Sequence, residues 1–118
     1  MAKSSNFAVR IRQEGSISIL DVSGRLTSFE IGVFRETIDR LLKEGRKQIL
    51  LNLRELQYLD SSGIGELAKS YVSVVKRHGQ MRVVGLSSKV EEVLKITQLY
   101  QVFPEYASEE DAVRDFPE

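Results

Sequence analysis

The chain has 118 residues, 42% hydrophobic and 29% charged, the balance of a single soluble globular domain. Lys plus Arg and Asp plus Glu both count 17, so the basic excess that a nucleic-acid binder uses against phosphate is absent, and no direct DNA binding is expected. With no cysteine, disulfides, thiolate catalysis and cysteine-held zinc or iron–sulfur centres are excluded.

Residues 1–6 carry no apolar stretch of signal-peptide type and read as a flexible N-terminal tail, leaving 7–118 as the domain. No window approaches the roughly 20 apolar residues of a membrane span. Ala2 stands where myristoylation needs glycine. The expected location is cytoplasmic.

The segment 7–12 alternates apolar and polar residues, as does 16–22. Gly15 lies in the short turn between them, so a β-hairpin is expected. Phe34, Ile38, Leu41 and Leu42 then recur at helical spacing, with Gly45 as a stop. The apolar run 49–53 predicts a buried strand. Ile64, Leu67, Tyr71, Val74 and Val75 mark a second helix, closed by Lys76, Arg77, His78 and Gly79. Residues 81–86 read as a strand, Val90, Val93 and Leu94 as a third helix, Val102 and Phe103 as a short last strand, and 108–116 as a last helix. Helical crossovers after a hairpin imply an α/β domain: a mixed four- to five-stranded sheet, later strands mostly parallel, packed against about four helices.

The helix entrances differ in chemistry. Thr27 and Glu30 form a capping-box pattern, with Leu26 and Ile31 as a hydrophobic staple. Ser88 and Glu91 repeat that spacing, and Ser108 with Asp111 is a weaker version. The second helix opens Leu59-Asp60-Ser61-Ser62-Gly63-Ile64. Asp60 is its expected N-cap, but Gly63 holds the box position, and the next acid is Glu66. Free amides at a helix N-terminus favour an anion, and a phosphate on Ser61 would lie within their reach. The same four residues also suit a plain cap and turn, the reading that spacing alone favours.

The stretch from Leu51-Asn52-Leu53 through Tyr58-Leu59-Asp60-Ser61-Ser62-Gly63-Ile64-Gly65-Glu66-Leu67 resembles the signature of STAS domains, in particular the anti-sigma-factor antagonists. Ser23-Gly24-Arg25-Leu26 is similar to the family's turn after the second strand. Residues 84–94 resemble its fourth strand and third helix, and Leu99, 102–104 and 106–108 its C-terminal end. The resemblance implies a non-enzymatic switch without a cofactor or metal. The unphosphorylated antagonist binds an anti-sigma factor, usually a serine kinase, and frees the sigma factor. Phosphorylation of the serine corresponding to Ser61 weakens that binding, and a serine phosphatase resets it. Any ATP belongs to the kinase.

On the same implication Asp60, Ser62, Gly63 and Gly65 support the switch loop, and Arg25, Leu26, Thr27 and Ser28 meet the partner. The chain itself would be a monomer or weak dimer. It also departs from the pattern: Arg25 replaces a glutamate, Thr27 stands near a common aspartate position, and Asn52 replaces an aspartate of the third strand. These changes motivate an alternative, a constitutive STAS adaptor in a signalling assembly or lipid-transport complex. Ser62 is a second candidate hydroxyl. Gly63 either admits a partner backbone or relieves crowding, whereas Gly65 is expected to relieve crowding against the sheet. His78, the only histidine, lacks the spaced partners of a metal or catalytic site and reads as a helix-terminal cation. Nucleophilic catalysis by Ser61 has no Gly-x-Ser-x-Gly elbow to support it, and no Walker-type glycine loop is present.

Overall fold

The computed structural model describes residues 7–97, 103 and 105–117. Among the described residues, five strands form one mixed sheet in the order β1-β2-β3-β4-β5. They are β1 (Ala8–Glu14), β2 (Ile17–Leu26), β3 (Gln48–Leu59), β4 (Gln80–Val84) and β5 (Glu105–Tyr106). The helices are α1 (Ile31–Lys43), α2 (Ser61–Lys76), α3 (Ser88–Ile96) and α4 (Glu109–Arg114). β1 and β2 pair antiparallel across the expected hairpin, and every later pairing is parallel.

Apolar side chains go to both sheet faces, unequally. Leu20, Val22, Leu26, Ile49, Leu51, Leu53, Leu56 and Leu59 form the main core with Phe34 and Ile38 of α1, Leu67 and Val74 of α2, and Val90 and Leu94 of α3. Phe103 completes it, meeting Tyr71 edge to face at 5.5 Å. On the opposite face Ile17, Ile19, Leu50 and Val84 are covered by Ala112 and Phe116 of and beyond α4.

Several boundaries depart from the sequence expectation. β3 is more than twice its expected length. Its inward residues Leu53, Leu56 and Leu59 recur every third position because the β2–β3 register shifts between Asp21 and Ser23 and between Gly24 and Arg25. An interrupted period of two does not look like a strand. For the same reason Ser23–Leu26, expected as a turn, completes β2. α1 begins at Ile31, not near Thr27. Residues 27–30 form a turn in which the Glu30 carboxylate accepts from the Thr27 N–H at 2.9 Å and its hydroxyl at 2.5 Å. Only the reach-back half of the capping box is made. Ser87, not Ser88, caps α3, accepting from the Val90 N–H at 3.3 Å. Ser108 caps α4 as expected. The last strand is 105–106, whereas Val102 of the expected one lies outside the described residues. On α2 it is Val74 that is buried, and Val75 is exposed.

α2 closes with Arg77 as C-cap, and the Gly79 N–H returns to the Val74 carbonyl at 2.9 Å. The residue holding the left-handed conformation there is His78, φ 63°. A side chain in that region costs about 1–2 kcal/mol, partly offset by the lost chain entropy of glycine. His78→Gly should therefore raise stability by about 0.5–1 kcal/mol, read as a higher urea midpoint at unchanged slope.

Candidate functional site

The C-terminal ends of β2 and β3 meet the start of α2. In register, Arg25 faces Tyr58 and Leu26 faces Leu59. The Asp60 N–H then donates to the Leu26 carbonyl at 3.3 Å, tying the helix entrance to the sheet. Asp60 is the N-cap: its carboxylate accepts from the Gly63 N–H at 3.0 Å. Ser61 is the first helical residue and is exposed, while Ser62 is half-buried. No acid stands in the first turn of α2. That is not unique, because α1 has none either, although Glu30 immediately precedes it.

The two glycines play opposite parts. A Cβ on Gly63 would lie 2.4 Å from the Leu26 carbonyl oxygen and 3.1 Å from the Leu59 side chain. Gly63 is therefore required for α2 to approach β2. A Cβ on Gly65 would meet nothing within 4 Å. The expectation that Gly65 relieves crowding fails, because it lies on the outward face of α2, one turn beyond Ser61. Leu26, expected at a partner surface, is wholly buried in the core. What it offers the site is its carbonyl. Arg25 and Ser28 are exposed, and Thr27 is half-buried and engaged with Glu30.

Other contributors were not visible in the sequence. The Arg25 guanidinium stacks over the Tyr58 ring, 4.3 Å from its centre. Phe29, 90% exposed, stands in the turn between β2 and α1. Glu66 is buried and receives Arg35 of α1 through two bonds, Nε at 3.2 Å and Nη2 at 2.6 Å. This carboxylate raises the Arg35 guanidinium above its usual pKa. The pair fixes α2 against α1. Only a register or a tertiary contact signals such partners, which are far apart in sequence.

Behind the site Asn52 joins a charged network on the α4 face. Its Nδ2 donates to Asp21 at 2.9 Å, and Arg12 binds Asp21 through two bonds of 2.7 Å. Arg12 also donates to Glu109 of α4 at 2.9 and 3.0 Å. Asparagine here supplies a donor that aspartate would lack. The Arg12 hydrogen bonds hold the Asp21 and Glu109 carboxyls below their ordinary values. Folded, both groups bind fewer protons than when unfolded. Their contribution is complete above the ordinary carboxylate range and is lost as pH falls through the lowered folded values. Urea midpoints should therefore drop between pH 7 and about pH 3, and Arg12→Gln should flatten that dependence.

A family model described as the STAS domain matches residues 8–112. The chain belongs to the STAS domain family. Among curated relatives, this STAS domain is 25% identical over 111 residues to an anti-sigma F factor antagonist of Paenibacillus polymyxa, covering 93% of this chain and 95% of that one. It is 24% identical over 109 residues to an anti-sigma-B factor antagonist of Bacillus subtilis, covering 92% and 99%. Among solved structures, an anti-sigma factor antagonist from Mycobacterium paratuberculosis superimposes with a TM-score of 0.85 at 20% identity, covering 98% of both chains. The phosphorylated form of the Bacillus cell fate determinant SpoIIAA gives 0.72 at 20% identity, covering 91% and 97%. These similarities carry the fold: one α/β domain with an N-terminal hairpin. No described helix is long and apolar enough to cross a membrane. No group of three or more His, Asp or Glu suited to a metal ion occurs among the described residues.

Proposed function

We propose that this STAS domain is an anti-sigma-factor antagonist that binds an anti-sigma factor with serine kinase activity, and that phosphorylation of Ser61 releases it. The observation that carries the reading is the exposed hydroxyl of Ser61 as first residue of α2, directly after its N-cap Asp60 in the family signature. The curated relatives named anti-sigma factor antagonists support it. A phosphate there adds about −1.5 to −2 charges beside the Asp60 carboxylate. Facing solvent, the chain itself tolerates them at the positive end of α2. Against a close partner surface they lose water and repel. A serine phosphatase then restores the binding form, and both partners act in the cytoplasm.

Incubation with a candidate kinase and ATP should place one phosphate on Ser61 by mass spectrometry, and Ser61→Ala should remain unmodified and partner-bound. Modification elsewhere, with Ser61→Ala still regulated, would remove the assignment. A constitutive adaptor is favoured by Arg25 being stacked on Tyr58 and Thr27 being bonded to Glu30, so that neither departs freely toward a partner. Identical partner binding before and after kinase treatment, with no phosphate incorporated, would select it.

A further inference from the structure

β3 outruns its neighbour. β4 pairs with β3 only from Gln48 to Asn52, yet β3 continues to Leu59 against β2 alone among the described residues. The cause is local. Gly85, φ +82°, turns the chain away directly after β4, and its α-carbon lies so close to Arg54 that a Cβ would come within 3.0 Å of the Arg54 nitrogen. The Arg54 N–H is then taken by the Asn52 Oδ1 at 3.2 Å instead of by a strand carbonyl. Beyond it, residues 55–59 have no strand on their outer edge among the described residues. Bare strand edges are sites of strand addition unless blunted.

This edge is backed by a helix. A cleft of about 240 Å³ lies between Gln57, Tyr58 and Leu59 on the strand and Val90 and Val93 on α3. A sheet edge facing a helix across a groove is the geometry by which extended peptides are bound: main-chain hydrogen bonds give affinity, and a pocket for one side chain gives specificity. The walls are largely apolar. The same cleft is lined by Lys89 and Glu92, both exposed and neither ion-paired among the described residues.

We propose that this groove docks an extended segment of a partner protein by strand addition along residues 55–59. The segment has an apolar residue that enters the cleft and, two residues to either side on the same face of the extended chain, an acid toward Lys89 and a base toward Glu92. Because the groove ends at Leu59, beside Asp60 and Ser61, this deepens the switch reading and rests on it for regulation alone. The docked segment runs to the residue that is modified.

The test is a titration of the isotope-labelled full chain with short synthetic peptides carrying a central leucine, with an acid two residues to one side and a base two residues to the other. Amide shifts should be confined to 55–59 and 89–93, with slowed hydrogen exchange along β3. Val93→Arg should abolish the shifts. Lys89→Glu, a surface change that leaves the core untouched, should weaken binding about tenfold, recovered when the peptide acid is exchanged for lysine. No shifts at about 1 mM peptide, or shifts on the α1–α2 side instead, would overturn the proposal. Concentration-dependent shifts of the chain alone over the same residues would assign the groove to a second copy and overturn it too. Equal peptide binding by wild type and Ser61→Glu would keep the groove while removing its regulation by the switch.

Discussion

Gly63→Ala is expected to lower stability by about 3 kcal/mol, near the upper end for forcing a methyl into a packed core. The added carbon would sit 2.4 Å from the Leu26 carbonyl oxygen, which is backbone and cannot rotate away. Leu26 and Leu59 on either side are both buried, so the clash resolves only by lifting α2 from the sheet. That movement also breaks the Asp60 N–H bond to Leu26 and misplaces Ser61. Urea denaturation at constant slope measures the loss, and kinase modification of the surviving folded protein measures the misplacement. Gly65→Ala is the internal control. With open space at its Cβ and a helical interior position, it should gain up to about 1 kcal/mol. If both substitutions cost the same, the packing argument is wrong.

Ser61→Glu is expected to weaken binding to the anti-sigma factor about a hundredfold, and phosphorylation by at least as much, a difference of about 2.7 kcal/mol. The added charge lies next to the Asp60 carboxylate, which already accepts the Gly63 amide, so a partner surface at this helix start would face two negative groups side by side. The free chain should keep its thermal midpoint, since Ser61 is exposed and contributes nothing to the core. The loss is thus confined to the complex. Calorimetric titration of both forms against the purified partner reads it directly. Unchanged affinity for the phosphorylated chain would exclude charge at Ser61 as the switch.

The parts of the fold that follow a regular period were legible in the sequence. The hairpin around Gly15, the face of α1 and, apart from Val75, the face of α2 followed from alternation and helical spacing, and Asp60 was placed as the N-cap of α2 from its neighbours. The far half of β3 was not legible. Its inward leucines recur every third residue, a pattern imposed by shifts in the β2–β3 register that only the pairing partner reveals. The helix starts erred where two capping residues compete: Ser87 won over Ser88, and Glu30 reached back to Thr27 without Thr27 entering the helix. For the site, Ser61 came from the family signature, not from geometry. The stacking of Arg25 on Tyr58 and the Arg35–Glu66 pair depend on contacts between elements that no local pattern encodes.

The bond from Asp60 to Leu26 sits at the last rung of the β2–β3 ladder, whose strands are separated in sequence by the whole of α1. Parallel pairing of this kind closes a long loop before its contacts reward the cost, so its terminal rung is expected among the later parts of the chain to become ordered. Ser61 acquires its fixed position only once that rung is made. On the proposed switch, an enzyme that reads Ser61 at a docked helix start would therefore also read whether α2 has seated on the sheet, and would pass over a nascent or damaged copy.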